Sequence, residues 1–130
     1  MYFCCKICKI AVSKEINVLE DQSRLCFEAE KEFLPPGFFF PESEKIPKIN
    51  FEHYGLSGDF NRYFLNEIDV INVKDHFDGT RLNGCCGMSG YFGINKVCRN
   101  NHEIGIEYSD CIMPHTVGLI VEKIELINNE

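Results

Sequence analysis

The chain has no tryptophan, few basic residues and no long apolar run, and each shortage excludes something. No stretch approaches the ~18 to 20 apolar residues that a membrane span needs, so a spanning helix is not expected. The start, MYFCCKICKIAV, is interrupted by Lys6 and Lys9, and no small-residue cleavage site follows, which is unlike a secretory signal. Thirteen Lys and Arg stand against twenty Asp and Glu, a formal charge of -7. Gripping a phosphate backbone needs the opposite balance, because Lys and Arg must displace its counterions, so nucleic-acid binding is disfavoured. An acidic surface instead favours solubility and steering towards a basic protein partner.

What remains fits one domain spanning residues 1–130, with 45% hydrophobic residues and eleven phenylalanines to supply a core. Regular helix has little support. Ile16 and Val18 alternate with polar neighbours, and Leu25, Phe27 and Ala29 alternate with Cys26, Glu28 and Glu30, which predicts a hairpin turning at Asp21-Gln22-Ser23. Leu34-Pro35-Pro36-Gly37 should turn the chain into a short buried strand at Phe38, Phe39 and Phe40. Residues 41–61 read as loop, with one short strand from Ile49 to Phe51. Tyr63 to Val73 is ambiguous: its β-branched residues favour strand, while Asn66-Glu67 favours one helical turn. Glu103 to Tyr108 alternates as a strand, and His115 to Ile127 does so with a break at Glu122-Lys123. The expected architecture is mainly β with minor helix, a single small sandwich or partly open barrel, with room for a zinc-ribbon-like clip.

Eight cysteines are too few for a dense disulfide scaffold. In a cytosolic chain, which is the expected location, clustered thiols stay reduced and more often signal metal. Cys5-Lys6-Ile7-Cys8 has the spacing that turns two sulfurs towards one ion, and tetrahedral zinc wants four ligands. The predicted site is a structural zinc on Cys5, Cys8, Cys86 and Cys98, with Cys85, His102, Cys111 and His115 as competing ligands. Cys26 reads as a small buried hydrophobe. The densest cysteine and glycine region, Thr80 to His115, also invites redox or hydrolase chemistry at its GCCG and Ser109-Asp110-Cys111 segments. Against redox chemistry, only Arg81 lies near Cys85 and Cys86 to lower a thiol pKa. Against a Cys111–His115 pair, four positions along a strand separate side chains by roughly 13 Å, so only an irregular loop at Pro114 would bring them together. His53 and His76 are spare bases. Gly84, Gly87, Gly90 and Gly93 recur every three residues, yet no helix or lysine follows to complete a phosphate loop.

Arg81-Leu82-Asn83-Gly84-Cys85-Cys86-Gly87, then Gly93, Asn95 and Cys98, Glu103-Ile104-Gly105, and Ser109-Asp110-Cys111 together resemble a motif of uncharacterised bacterial proteins. Their pattern reads RLxGCCGxxGxxGxNxxC, then a glutamate-led apolar segment and DCW, often with an amino-terminal CxxC. The likeness covers residues 60 to 127. Here Ile112 replaces the tryptophan, and Asn100 or Asn101 replaces a second cysteine or glycine, which makes His102 a stand-in ligand. The resemblance implies a shared scaffold and no activity.

The function expected from size, charge and the incomplete catalytic signatures is that of a non-enzymatic binding protein. An immunity-type inhibitor that covers the active site of a basic toxin, such as a nuclease, has these properties. The alternatives are a Cys/His-dependent hydrolase or redox enzyme and a zinc-ribbon-like regulatory module.

Overall fold

The computed structural model describes residues 1–42, 51–56, 58 and 60–128. It is β-rich: strands and single 3-10 turns alternate along the chain, and the sheets do not close into a barrel. The strands are β1 (Tyr2–Cys5), β2 (Asn17–Val18), β3 (Phe38–Pro41), β4 (Arg62–Leu65), β5 (Val73–Asp75), β6 (Lys96–Cys98), β7 (Glu103–Tyr108), β8 (Thr116–Ile120) and β9 (Ile124–Ile127). Seven of them form one sheet in the order β2-β3-β4-β8-β7-β6-β5, and β1 pairs separately with β9.

Both faces of the large sheet are covered, so its central strand reads as an unbroken apolar run. All five residues of β8, Thr-Val-Gly-Leu-Ile, are buried. On one face Phe40, Phe64, Ile106 and Ile120 meet Leu19, Phe33, Leu34, Phe51, Leu56 and Met113 from the loops. On the other, Phe39, Leu65, Val117 and Leu119 meet Phe3, Cys5, Val12, Ile16 and Ile124, which brings the β1–β9 pair down onto the sheet.

The Pro-Pro-Gly turn forms with Gly37 at φ +87°, and the phenylalanine strand follows it. Tyr63 to Val73 combines both readings: β4 ends at Leu65, and the Asn66 side chain then accepts the Ile68 amide to cap a 3-10 turn at Glu67–Asp69. The break at Glu122-Lys123 is a 3-10 turn joining β8 to β9. The hairpin predicted around Asp21 does not form. β2 pairs in parallel with β3, Asp21 caps a 3-10 turn at Gln22–Arg24, and residues 25–30 run as loop. Leu25 and Phe27 reach the core from that loop, so their alternation reflects packing without a partner strand. Of the strand expected at Ile49 to Phe51, residues 49 and 50 lie outside the described residues, and Phe51 begins a 3-10 turn. Among the described residues no helix is long and apolar enough to cross a membrane.

Candidate metal centre

Two elements far apart in sequence build one cluster. The first is the turn after β1, where the Lys9 amide donates to the Cys5 carbonyl at 2.9 Å and the Cys5 amide donates to the Ile10 carbonyl at 2.8 Å. Lys9 completes the reversal at φ +65°. In this turn the amides of Ile7 and Cys8 hydrogen-bond the Cys5 sulfur and that of Ile10 hydrogen-bonds the Cys8 sulfur. The second is the tight connection between β6 and β7. The Cys98 amide donates to the His102 carbonyl and the Asn101 amide to the Cys98 carbonyl, both at 2.8 Å, with Asn101 at φ +68°. This hairpin folds the Cys-x3-His spacing back on itself and sets Cys98 Sγ 3.4 Å from His102 Nδ1.

The heavy sheet core presses the two turns together. Cys5 Sγ lies 3.6 Å from His102 Nδ1, and Cys8 Sγ 3.7 Å from Cys98 Sγ. The ligand atoms of Cys5, Cys8, Cys98 and His102 all fall within 4.8 Å of one another, an arrangement that can hold a metal ion. Cys5 and Cys98 are fully buried, and Cys8 and His102 half-buried. Burial raises the Cys5 thiol, whereas the Asn100 side chain, the Ile10 amide, His102 and Cys5 bring the Cys8 thiol down to about 6. One thiol is therefore largely ionised at neutral pH and ready to accept a cation.

Cys86, predicted as the fourth ligand, is not in this cluster. It stands with Cys85 and Cys111, whose sulfurs also lie within 4.8 Å of each other, and His102 occupies the fourth position instead. The separation follows from Asp110. Its carboxylate accepts the amides of Cys85 at 3.0 Å, Cys86 at 2.8 Å and Cys111 at 2.8 Å, tying the GCCG loop to the Ser-Asp-Cys turn. These three amides, that of Cys86 foremost, hold the Asp110 carboxyl at about 2. The flanking glycines allow the closeness: a Cβ on Gly84 would sit 1.8 Å from the Gly87 carbonyl oxygen, and one on Gly87 2.3 Å from that of Ser109.

Each of the candidate hydrolase side chains has a partner of its own. Cys111 shares hydrogen bonds with Cys86, and this with burial pushes its thiol up to about 12, away from a nucleophilic thiolate. The His115 ring bonds the Asp110 backbone carbonyl at 3.0 Å. His76 accepts the Asp78 amide at Nδ1, so its Nε2–H faces Glu103 at 2.8 Å; His53 stacks edge-on with Tyr54. Cys4 and Cys26 belong to neither thiol cluster, and all eight cysteines are free. Arg81 is turned to the Ile94 carbonyl at 3.0 Å and Glu103 at 3.4 Å.

Sequence reasoning did not find the open groove of about 680 Å³ where Glu32, Glu67 and Glu107 converge with Ile68, Val73 and Lys96. Its carboxylates come from a loop, a 3-10 turn and β7, so no local pattern joins them. Burial and the neighbouring Glu67 raise the Glu32 carboxyl, while Lys96 spans Asp75 at 2.8 Å and Glu107 at 2.9 Å. The Cys98–His102 pairing did leave a signal: Asn100-Asn101 are turn formers just before the strand expected at Glu103 to Tyr108.

No protein-family model, curated protein or solved structure matches this chain.

Proposed function

We propose that Cys5, Cys8, Cys98 and His102 hold one structural zinc ion, and that the protein so closed is a non-enzymatic acidic binder, an immunity-type inhibitor of a basic protein such as a toxin nuclease. The tetrahedral edges support zinc. Bonds of about 2.3 Å to sulfur and about 2.0 Å to nitrogen imply sulfur–sulfur edges near about 3.8 Å and sulfur–nitrogen edges near about 3.6 Å. The observed 3.7, 3.6 and 3.4 Å already approximate these spacings. Four protein ligands fill the coordination sphere and leave no position for substrate, which is the pattern of a structural site.

The binding role rests chiefly on the groove where Glu32, Glu67 and Glu107 converge around exposed Ile68, on a chain of charge -7. Glu107 is held by Lys96 at 2.9 Å and by the Ser109 hydroxyl at 2.8 Å, so Glu32 and Glu67 supply the acceptors for a partner's Lys or Arg, and Ile68 offers an apolar anchor.

Elemental analysis of the native protein should find one zinc per chain. Half-buried Cys8 should resist iodoacetamide until a chelator is added, and Cys8→Ser or His102→Ala should abolish zinc while Cys86→Ser leaves it. Loss of zinc in Cys86→Ser alone would sink the ligand set. For the binding role, the product of the neighbouring reading frame should co-purify, and Glu67→Lys should release it. A neighbour that is neither toxic nor bound removes the inhibitor reading.

A further inference from the structure

We infer that Cys85, Cys86 and Cys111 form a second, separate site for a soft monovalent cation of the Cu(I) class, bound by three thiolates in trigonal geometry. The three sulfurs lie within 4.8 Å of one another, and among the described residues no histidine or carboxylate oxygen joins them within that distance. The Asp110 carboxylate hydrogen-bonds the Cys111 thiol, but its two oxygens are also held by three backbone amides, so it serves to place Cys111 and the sulfurs remain the ligands. An all-sulfur set of three suits Cu(I), whereas Zn(II) prefers four ligands.

The trio is built before any ion arrives. Cys85 and Cys86 are adjacent in a loop whose shape is fixed by Gly84 and Gly87, and Cys111 is delivered from the opposite turn by the shared Asp110 carboxylate. Ser109 reinforces the link: its hydroxyl accepts the Met88 amide at 3.1 Å, and its own amide donates to the Met88 carbonyl at 2.9 Å. Little reorganisation is needed, which favours binding. The location differs from the clip in one functional respect. Cys85 and Cys86 are exposed, so an ion there remains open to exchange with solvent or another thiol donor. Binding forms three Cu–S bonds, releases the thiol protons and moves no electrons.

The test uses the full-length zinc-loaded protein, titrated anaerobically with Cu(I) in competition with bathocuproine disulfonate. The expected result is one Cu(I) per chain with the zinc retained, and near-ultraviolet thiolate charge transfer that saturates at one equivalent. Cys86→Ser and Cys111→Ser should each weaken Cu(I) by at least tenfold, about the scale seen when even a supporting residue at a metal site is lost. Cys85→Ser, an exposed change, guards against misfolding, and the zinc content and thermal midpoint of each variant report whether the fold is intact. Cu(I) binding unaffected by all three changes, stoichiometric displacement of the zinc, or a disulfide within the trio in protein isolated anaerobically would each overturn the inference. So would a second equivalent of zinc or of arsenite held more tightly than Cu(I).

Discussion

Arg62 is 1% exposed in a mainly apolar core, and its guanidinium is satisfied on every side. Nε and Nη2 grip Glu42 at 2.8 and 2.7 Å, while Nη1 donates to the Leu56 carbonyl at 3.0 Å and to the Tyr108 hydroxyl. Removing one partner from such a buried group strands the others, so Arg62→Ala should cost about 3 kcal/mol in urea unfolding. Burial also raises the Tyr108 hydroxyl to about 12, against about 10 in the unfolded chain. As pH rises, the unfolded state loses this proton first. The tyrosine's share of stability is therefore whole below about pH 10 and gone above about pH 12, amounting to about 1 kcal/mol lost by pH 11. Unfolding measured from about pH 9 to 11 should show this slope, and Tyr108→Phe should lack it. At Gly84 the obstacle is steric. An alanine Cβ would overlap the Gly87 carbonyl, so Gly84→Ala should shift the GCCG loop and speed the reaction of half-buried Cys111 with iodoacetamide while one zinc stays bound.

The elements that meet at the clip are the ones it should stabilise most. The Cys5 and Lys9 amides bond within the first turn, the Lys6 amide bonds the Lys123 carbonyl, and the Cys98 and Asn101 amides bond within the second, so each reports how firmly its own turn is held. Chelation should speed hydrogen exchange at these amides by about tenfold or more, while β7 and β8, packed on both faces, remain protected. Uniform acceleration over the whole sheet would mean that the ion holds the fold globally. Much of this element plan was legible beforehand: the Pro-Pro-Gly turn, the phenylalanine strand, β7, and the broken strand ending at Ile127 follow from local patterning. β1, β5 and β6 were not, because four, three and three residues are too short for any period to show. The candidate cluster was legible only in part, for a related reason. Cys5 and Cys8 announce themselves by spacing, but choosing His102 over Cys86 requires knowing that Asp110 has already drawn Cys86 elsewhere.

For the whole molecule, charge should govern association. With a formal charge of -7 on the chain, capture of a basic partner should weaken as salt rises past about 0.15 M, mainly through a slower on-rate. Glu67→Lys should remove much of that salt dependence together with the affinity, readable by surface binding kinetics at several ionic strengths. A salt-independent affinity would point to Ile68 and its apolar neighbours as the principal contact. The order of synthesis adds a constraint of another kind. Tyr2–Cys5 finds its sheet partner only in Ile124–Ile127, and the Cys5–Cys8 turn meets its companions only at Cys98 and His102. On the ribosome, the first strand must therefore wait for this partner, with a local bridge from Cys4 to Ala11 and three bare thiols at Cys4, Cys5 and Cys8, until almost all of these residues have been made. Its safety during that interval falls to the reducing power of the surroundings, so oxidative stress should be felt first by newly made chains and hardly at all by old ones.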